Sequence, residues 1–396
     1  MRTGGIKSAP ERVARHVRDV PRSGIRDFFE IVATRHDIIS LGIGEPDFDT
    51  PWHVREAIVA ALERGGAICH YTSNLGLLRL RRLLAAYVEQ TFGLAYQPET
   101  EILVTVGVSE GMDLAMRALL NPGEAVLYHE PSFVAYAPLI TFAGGTPVRI
   151  PTTAADGFKL TAGGLEAAYT PQCKALLLNY PNNPTGAVLD PAELAAIAEF
   201  VRARDLLVIS DEIYAELSYD APHTSIASLP GLRERTIFLH GFSKAWAMTG
   251  LRMGYACGPA DIIDAMMKIH QYSMMSAPTP SQEAACEALM RAEEDIGHMR
   301  AEYQRRRNFV VAACAELGLP CVRPAGAFYA FPQIGQLGIS SHDFAYRLIE
   351  EESVAVVPGP AFGPSGEGYV RCAYATAMEE LKEAFARIGR FVKRLG

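Results

Sequence analysis

HGFSKAWAMTGLRMGY, residues 240–255, places a lysine in surroundings that are unusual for a charged side chain. Lys244 follows the apolar run TIFLH (236–240), which has the length and composition of a buried strand. A single lysine more often lies on a surface connector, but here its sequence neighbours are small or apolar and none is acidic. Burial of an ammonium group is costly and lowers its pKa. That cost is understandable if the amine must act as a nucleophile, for instance toward a carbonyl group.

Short apolar runs of strand length recur on both sides of this stretch, and helical segments such as 109–120, 132–143 and 190–204 separate most of them. Continuous apolar runs are typical of strands that are buried on both faces. The alternation predicts an α/β fold with a mostly parallel, seven-stranded sheet in a large domain. The seven runs are ILVTV (102–106), AVLYH (125–129), TPVRI (146–150), ALLLN (175–179), LLVIS (206–210), TIFLH (236–240) and MGYAC (253–257).

A smaller α+β unit is predicted beyond about residue 260, where helical periodicity dominates. The predicted domains are 1–50 (an N-terminal arm and part of the small domain), 51–295 (the large domain) and 296–396 (the C-terminal small domain). Helical segments are expected at 53–64, 77–92, 260–275, 281–295, 299–317, 342–352 and 377–393. Strand-like pieces are CVRP (321–324), AFYAFP (327–332), VAVVPG (354–359) and YVRCAYA (369–375).

The overall composition excludes several classes of protein. A net charge of −8 argues against a nucleic-acid-binding surface, and no apolar run is long enough to span a membrane. The N-terminus has no apolar segment typical of a secretory signal. The seven cysteines are scattered, odd in number and without CxxC spacing. We therefore expect a cytoplasmic protein with reduced thiols and no metal site.

Polar side chains follow the predicted strands, where ligands bind in open parallel sheets. Ser109, at a predicted helix N-cap after ILVTV, could help hold a phosphate, although a plain cap explains it equally well. Phe133 could stack on a flat ring or belong to the core. Asn183 lies in the tight YPNNPTG loop, which turn chemistry alone could explain. Asp211 ends a buried strand and needs a cation unless it is an N-cap. Arg252 could clamp a dianion.

Together these groups fit a site for pyridoxal 5'-phosphate (PLP). In such a site the lysine forms an imine with the cofactor, and the aspartate keeps the pyridine nitrogen protonated so that the ring accepts electrons. The asparagine would bond the phenolic oxygen of the ring. The helix start and Arg252 would take the phosphate.

The motifs PNNPTG, SDEIY and GFSKAWAMTGLRMGY, with GIGEPDF near the N-terminus, resemble those of the class I/II aminotransferases of PLP fold type I. The resemblance covers nearly the whole chain. The segment HQYSMMSAPTPSQEA (270–284) is similar to the broad-specificity aspartate and aromatic subgroup, which includes some diaminopimelate-pathway enzymes. The resemblance as a whole implies an aminotransferase that moves the amino group of an L-amino acid to a 2-oxo acid through a Lys244 Schiff base.

The resemblance also implies a role for each site residue. Lys244 would carry the proton between Cα and the cofactor, and Asp211 would pair with the ring nitrogen. Tyr71 would reach the phosphate of a neighbouring subunit, so a homodimer with shared active sites is expected. Asn183 and Tyr214 would bond the ring hydroxyl, and Phe133 would stack on the ring. The implied phosphate ligands are Arg252, Ser243 and the backbone N–H groups of Val108, Ser109 and Glu110, and the implied substrate contacts are Arg371, Gly44, Asn183 and Phe133.

The chain departs from the family pattern at two positions. Gly241 stands where a phosphate-binding serine is frequent, so Ser243 and backbone groups would carry more of that function. Phe133 replaces the usual tryptophan or tyrosine and loses its hydrogen bond. Residues 326–332 and the IRDFFE segment (25–30) lie where the family screens substrate side chains. No arginine for a distal carboxylate is evident, so the sequence does not support a dicarboxylate preference.

Two alternatives to transamination stay open from the residues. A PLP-dependent C–S β-lyase would use the same site and differ only in the outcome of the reaction. A PLP-binding transcription regulator would carry an appended DNA-binding domain, and only about 24 residues precede the IRDFFE segment. The negative charge also disfavours the regulator.

Overall fold

The structure, a computed structural model, describes residues 12–21, 35 and 37–395 of the chain. Half of the predicted N-terminal segment 1–50, including IRDFFE, lies outside the described residues. The described part of the arm contains one short helix, α1 (Arg15–Arg18). No helix in the described ranges is long and apolar enough to cross a membrane. The same residues contain no group of three or more potential metal ligands.

A seven-stranded, mostly parallel sheet forms the centre of the large unit, in the order β2-β8-β7-β6-β5-β3-β4. Only β8 runs antiparallel to its neighbours. The inner strands are buried along almost their whole length, as their continuous apolar sequences predict. The predicted α/β fold is confirmed. The strands are β2 (Ile102–Val106), β3 (Ala125–Glu130), β4 (Thr146–Pro151), β5 (Cys173–Asn179), β6 (Leu207–Asp211), β7 (Thr236–Gly241) and β8 (Met253–Cys257).

Helices cover both faces of this sheet, and their amphipathic faces explain how they dock. Leu80, Leu84 and Val88 recur at four-residue spacing along one helix and are fully buried. Another helix starts at a capping box, in which Asp190 and Glu193 exchange bonds with each other's backbone N–H groups. The helices are α2 (Trp52–Arg64), α3 (Leu78–Phe92), α4 (Gly107–Leu119), α5 (Tyr136–Phe142), α6 (Ala162–Ala168), α7 (Pro191–Ala203), α8 (Ala260–Ser273) and α9 (Thr279–Met290).

Two predicted helices in this unit differ from the structure at their N-termini. The segment predicted as 132–143 is helical only from Tyr136, and the Ser132 N–H donates instead to the carbonyl of Phe362. The helix predicted to begin after an N-cap at Ser109 begins at Gly107, so Ser109 lies in the first turn and is not the cap. The reason is Glu110, whose carboxylate accepts the Val106 N–H and fixes the earlier start.

The C-terminal unit combines a small antiparallel sheet, β11-β12-β9, with a parallel pair, β1-β10. The strand β1 comes from the N-terminal segment. The predicted strand at residues 321–324 is wrong, because side chains bind this backbone: Arg307 donates to the carbonyl of Pro324. The elements are β1 (Ile39–Ser40), α10 (Ala292–Glu316), β9 (Tyr329–Ala330), α11 (Ser341–Glu352), β10 (Val354–Ala355), β11 (Val357–Pro358), β12 (Val370–Ala373) and α12 (Met378–Leu395).

The domain boundaries stay a prediction. Helix α10 runs across the predicted boundary between residues 295 and 296. One hydrophobic cluster joins Leu41 of the N-terminal segment to buried residues of α10, α11 and α12.

Candidate active site

A cavity of about 690 Å³ opens at the carboxyl ends of the sheet strands. All of the predicted site residues line it except Tyr71 and Glu110. The parallel strands bring these residues together although up to 327 positions separate Gly44 from Arg371 in the sequence. The lining residues predicted from the sequence are Gly44, Val108, Ser109, Phe133, Asn183, Asp211, Tyr214, Ser243, Lys244, Arg252 and Arg371.

Lys244 extends into this cavity from the segment that follows β7. Its Nζ donates a 2.6 Å hydrogen bond to the carbonyl of Gly44. Burial lowers the pKa of Lys244 to about 8; the nearby Glu45 carboxylate opposes this shift, and the guanidinium of Arg371 adds to it. An amine with this pKa is partly unprotonated near neutral pH and can attack a carbonyl carbon.

Asp211 is the last residue of β6 and lies inside the protein without a cationic partner among the described residues. Its Oδ2 accepts a 2.8 Å bond from the hydroxyl of Tyr136, and its Oδ1 accepts a 3.3 Å bond from the N–H of Ile213. Burial raises the pKa of Asp211 to about 6, and the bond from Tyr136 opposes that rise. A carboxylate in this position favours a ligand that brings a positive charge.

One wall of the cavity is built by close backbone packing at the start of α4. A Cβ at Gly254 would lie 2.6 Å from the backbone nitrogen of Val108. A Cβ at Gly241 would lie 2.8 Å from the carbonyl oxygen of Met253. A serine at position 241 would therefore require the neighbouring backbone of β8 to shift. Ser109 and Ser243 line the same wall.

Arg252 closes this wall from the other side. It adopts a left-handed conformation, with φ of +52°, just before β8. Its Nη1 donates a 3.0 Å bond to the carbonyl of Thr249. No ion pair joins it to a carboxylate in the described part of the chain. A helix N-terminus beside an unpaired guanidinium is a favourable place for a phosphate group.

The side chain of Glu110 points away from the cavity. Its Oε1 lies 2.7 Å from Nδ1 of His270, and its other oxygen accepts the Val106 N–H. The backbone N–H of Glu110 belongs to the first turn of α4. The role predicted for that N–H group stays a prediction.

Arg371 lies on β12 at the other end of the cavity and is buried. Its Nη1 donates a 2.9 Å bond to Oδ1 of Asn183, and its Nη2 donates a 2.6 Å bond to the carbonyl of Gly42. Its Nε is buried without a hydrogen-bond partner in the described structure. The guanidinium lies between the rings of Tyr329 and Phe362, 4.5 Å and 4.8 Å from their centroids. A buried cation without a carboxylate partner is suited to bind one from a ligand.

Three residues of the site were missed in the sequence. Tyr136 bonds Asp211, and Tyr329 shares a 2.9 Å hydroxyl contact with Tyr214. Asn179 donates from Nδ2 to the carbonyl of Asp211 at 3.0 Å and accepts the N–H of Asn183 at 3.2 Å. The signal for Asn179 was its place as the polar end of the apolar run ALLLN. Tyr136 lies three residues after Phe133, and only the aromatic character of that connector was recognised.

The loop that carries Gly44 is held from outside the cavity. Asp47 receives two 2.8 Å bonds from Nη1 of Arg306 on α10. Thr50 donates to the carbonyl of Ala247 at 2.6 Å, which ties the loop to the segment of Lys244. The loop therefore presents Gly44 to the lysine in a defined position.

Tyr71 does not line the cavity of its own subunit. Its side chain is 80% exposed. The loop around it contacts the segment after α8, where Asn74 donates to the carbonyl of Met275 at 2.7 Å. The predicted contact of Tyr71 with a neighbouring subunit stays a prediction.

Comparisons with known proteins agree with this geometry. The family model described as aminotransferase class I and II matches residues 36–388. A putative aminotransferase, YugH, of Bacillus subtilis is 52% identical, with 96% of this chain and 98% of the relative covered. The aromatic-amino-acid aminotransferase 2 of Thermococcus litoralis is 45% identical over 94% of this chain and 96% of its own. The structure of Thermus thermophilus aspartate aminotransferase with maleate matches with a TM-score of 0.91 and 36% identity, covering 97% of this chain and 100% of its own.

The chain belongs to the class I and II aminotransferases. It is a transaminase, as the resemblance implied, and its relatives are similar to it over nearly their whole length. The comparisons support amino-group transfer and do not support the C–S β-lyase or the transcription regulator as alternatives.

The low pKa of Lys244 leads to a first prediction. In the ligand-free protein we expect Lys244 to react with trinitrobenzenesulfonate with a midpoint at about pH 8, because only the unprotonated amine is nucleophilic. An ordinary lysine reacts with a midpoint near about pH 10.4. Peptide mass spectrometry across a pH series measures the labelling, and the exposed Lys268 serves as internal reference. A midpoint near pH 10 at Lys244 would contradict the assignment of a desolvated amine.

The buried Asp211 carboxylate leads to a second prediction. Its pKa of about 6 lies above the ordinary 3.8, so ionisation destabilises the ligand-free fold above about pH 6 and has no effect below about pH 4. We expect Asp211→Asn to stabilise the ligand-free protein at pH 8 by on the order of 2–3 kcal/mol, because the shift is about two units. Urea unfolding at pH 8 and pH 4 measures the effect. Equal stability of the two proteins at pH 8 would show that the carboxylate is not destabilising.

Proposed function

We propose that this aminotransferase binds PLP in the cavity and works by a ping-pong mechanism between an L-amino acid and a 2-oxo acid. The observation that carries the proposal is that a nucleophilic amine, Lys244, and a buried carboxylate without a cation, Asp211, line one cavity. When bound, PLP supplies an aldehyde that condenses with amines and a pyridinium ring that accepts electrons from Cα. The residues present fit this cofactor, since its cationic ring nitrogen would neutralise Asp211.

The phosphate of the cofactor would lie at the start of α4. Arg252 offers an unpaired guanidinium there, and Ser243 and Ser109 offer hydroxyl groups. The backbone N–H groups of Val108, Ser109 and Glu110 lie in the first turns of the helix, where free donors and the helix dipole favour an anion. These groups together would take over the function of the serine that is frequent in the family at position 241.

The remaining contacts orient the ring. Phe133 lines the cavity and would lie against the ring face, and Asn183 and Tyr214 would bond the ring hydroxyl. The amide of Asn183 is already oriented, because its Oδ1 accepts from Arg371. Its Nδ2 is then the group that can donate to a ligand.

The protein would bind the substrate through the α-carboxylate of the substrate. Arg371 provides the charge, and the flanking rings of Tyr329 and Phe362 hold its guanidinium plane. Gly44 lies close to this guanidinium, which also bonds the amide of Asn183, so the N–H of Gly44 and Nδ2 of Asn183 would be the further donors to the carboxylate. A carboxylate held in this way fixes the orientation of Cα toward Lys244.

Proton transfer would fall to Lys244. With a pKa of about 8, its Nζ can take the proton from Cα of the bound amino acid and deliver a proton later in the half-reaction. The carbonyl of Gly44 accepts from Nζ and would keep the released amine inside the cavity. A second half-reaction with a 2-oxo acid runs these steps in reverse.

We also propose a homodimer with shared sites, in which Tyr71 bonds the phosphate bound by the partner subunit. Large apolar side chains are exposed around Tyr71 on adjoining segments, and such a patch is typical of an interface. Tyr71 is joined to the segment of Tyr272, Met274 and Met275 through Asn74. Trp52, at the start of α2, is exposed as well.

A cytoplasmic location completes the proposal. All seven cysteines are free, and five of them, Cys173, Cys257, Cys286, Cys314 and Cys372, are buried. Free thiols persist in the reducing compartment of the cell.

The replacement Lys244→Ala tests the proposal directly. We expect loss of turnover and of the visible absorbance that PLP gains when it is bound to the lysine, because no other amine lines the described cavity. Assays with aromatic amino acids and aspartate as donors measure turnover, and borohydride reduction followed by peptide mapping locates the cofactor. Lys268→Ala, on an exposed helix face, is the matched control. A Lys244→Ala protein that keeps both properties would refute the proposal.

Subunit complementation tests the shared site. Lys244→Ala and Tyr71→Ala proteins should each be nearly inactive, and unfolding and refolding them together should restore about one quarter of the wild-type activity. Half of the reassembled dimers are mixed, and each mixed dimer has one site with both natural residues. If Tyr71 acts within its own subunit, mixing restores nothing.

A further inference from the structure

The hydroxyl of Tyr136 donates to Asp211 from inside the protein, and none of the roles proposed above for the site residues uses it. Tyr136 is only 2% exposed, and its oxygen lies 2.8 Å from Oδ2 of Asp211. It lines the same cavity. Because a carboxylate group can rotate, its two oxygens need fixed donors if one lone pair is to face a ligand.

Two donors fix this carboxylate from different elements. The N–H of Ile213 bonds Oδ1 from the chain just beyond β6, and Tyr136 bonds Oδ2 from the start of α5. The backbone of Asp211 is held separately, since its carbonyl accepts from Asn179. Of the side chains described, only that of Tyr136 donates to the Asp211 carboxylate. Loss of its hydroxyl would leave the carboxylate with one long backbone bond.

The ring of Tyr136 has a second contact. Its centroid lies 5.6 Å from that of Phe133, with the planes at 79°, which is an edge-to-face arrangement. The Tyr136 N–H also donates to the carbonyl of Phe133 at 3.2 Å. One residue therefore touches both the carboxylate that would face the ring nitrogen and the phenylalanine that would cover the ring face.

We propose that Tyr136 is a positioning residue, which orients Asp211 through its hydroxyl and Phe133 through its ring, so that both meet the cofactor together. The inference rests on the proposed function, because it assumes that Asp211 pairs with the ring nitrogen of PLP. Electrostatics agree with the geometry, since the bond from Tyr136 stabilises the ionised carboxylate against the effect of burial and keeps its pKa from rising further. The proposal adds Tyr136 to the site without giving it a chemical step.

The test is a double-mutant cycle on the holoenzyme, with the dissociation constant of PLP as readout. We expect Tyr136→Phe to weaken PLP binding about tenfold, because a hydrogen bond to a charged group is lost while the ring remains. In the Asp211→Asn background the same replacement should change PLP binding less than about twofold, since the hydroxyl acts through the carboxylate. Tyr136→Leu, which also removes the ring, should weaken binding further in both backgrounds.

Tyr128→Phe is the matched control. Its hydroxyl also donates to a buried carboxylate, that of Glu130, at 3.1 Å, but neither residue lines the cavity. We expect its PLP affinity and its absorbance titration to equal those of the wild type, whereas Tyr136→Phe should shift the pH midpoint of the visible cofactor band.

The outcomes separate this inference from the function on which it rests. If Asp211→Asn leaves PLP affinity unchanged, the proposed role of Asp211 fails. If Asp211→Asn weakens binding but Tyr136→Phe does not, or if the two effects simply add, the role of Asp211 stands and the positioning role of Tyr136 is overturned. An equal loss in Tyr128→Phe would also overturn it, because the effect would then be a general consequence of removing a buried hydroxyl.

Discussion

Burial of charge without a counter-charge is the constraint on which the site depends. Asp211, Lys244 and Arg371 are all enclosed by protein around one cavity, and burial shifts the pKa of each toward its neutral form. A fold could relieve this cost by pairing them, but Asp211 and Arg371 form no ion pair with any described residue, and Lys244 is bonded to a backbone carbonyl. The desolvation of these unpaired charges destabilises the ligand-free fold, and a ligand that brings complementary charges removes that cost when it binds.

Two other buried carboxylates close to Asp211 in the sequence do have imidazole partners, so among the three the lack of such a partner is particular to Asp211. Glu212 and Glu216 belong to the same segment, and each meets a histidine, His223 at 2.6 Å and His240 at 2.9 Å. Each of these glutamates also accepts from a hydroxyl group of a neighbouring side chain. Within this described segment the glutamates that face the core are thus hydrogen-bonded to imidazoles, whereas Asp211, which faces the cavity, has no hydrogen bond from a cationic or imidazole side chain.

Much of this architecture could be predicted from the sequence, for physical reasons. Strands buried on both faces must be continuously apolar, so the seven strands were found with only small errors at their ends. The order of polar residues after those strands then placed most of the site. Hydrogen bonds between side chains and nearby backbone groups were not predictable from the sequence. The Glu110 carboxylate accepts the Val106 N–H, and α4 starts earlier than predicted. The Arg307 guanidinium donates to the carbonyl of Pro324, in the segment 321–324 that was predicted as a strand. Tyr136 was missed because its partner lies 75 residues away, and nothing in its sequence surroundings marks a hydroxyl that bonds Asp211.

The packing at the start of α4 shows how short distances between backbone segments restrict the residue type at two neighbouring positions. Gly241 and Gly254 lie side by side at the ends of β7 and β8, and a Cβ on Gly254 would approach the backbone of Gly107 and Val108. The start of α4 can therefore lie against β8 only if position 254 lacks a side chain, and β7 and β8 can lie this close only if position 241 lacks one. A serine at 241 would add a hydroxyl donor, but its Cβ would lie 2.8 Å from the carbonyl oxygen of Met253 and 2.9 Å from Cα of Gly254, so β7 and β8 would have to move apart. The glycine that departs from the family pattern thus belongs to the same close packing of β7, β8 and the start of α4, in which a backbone without a side chain allows the close approach.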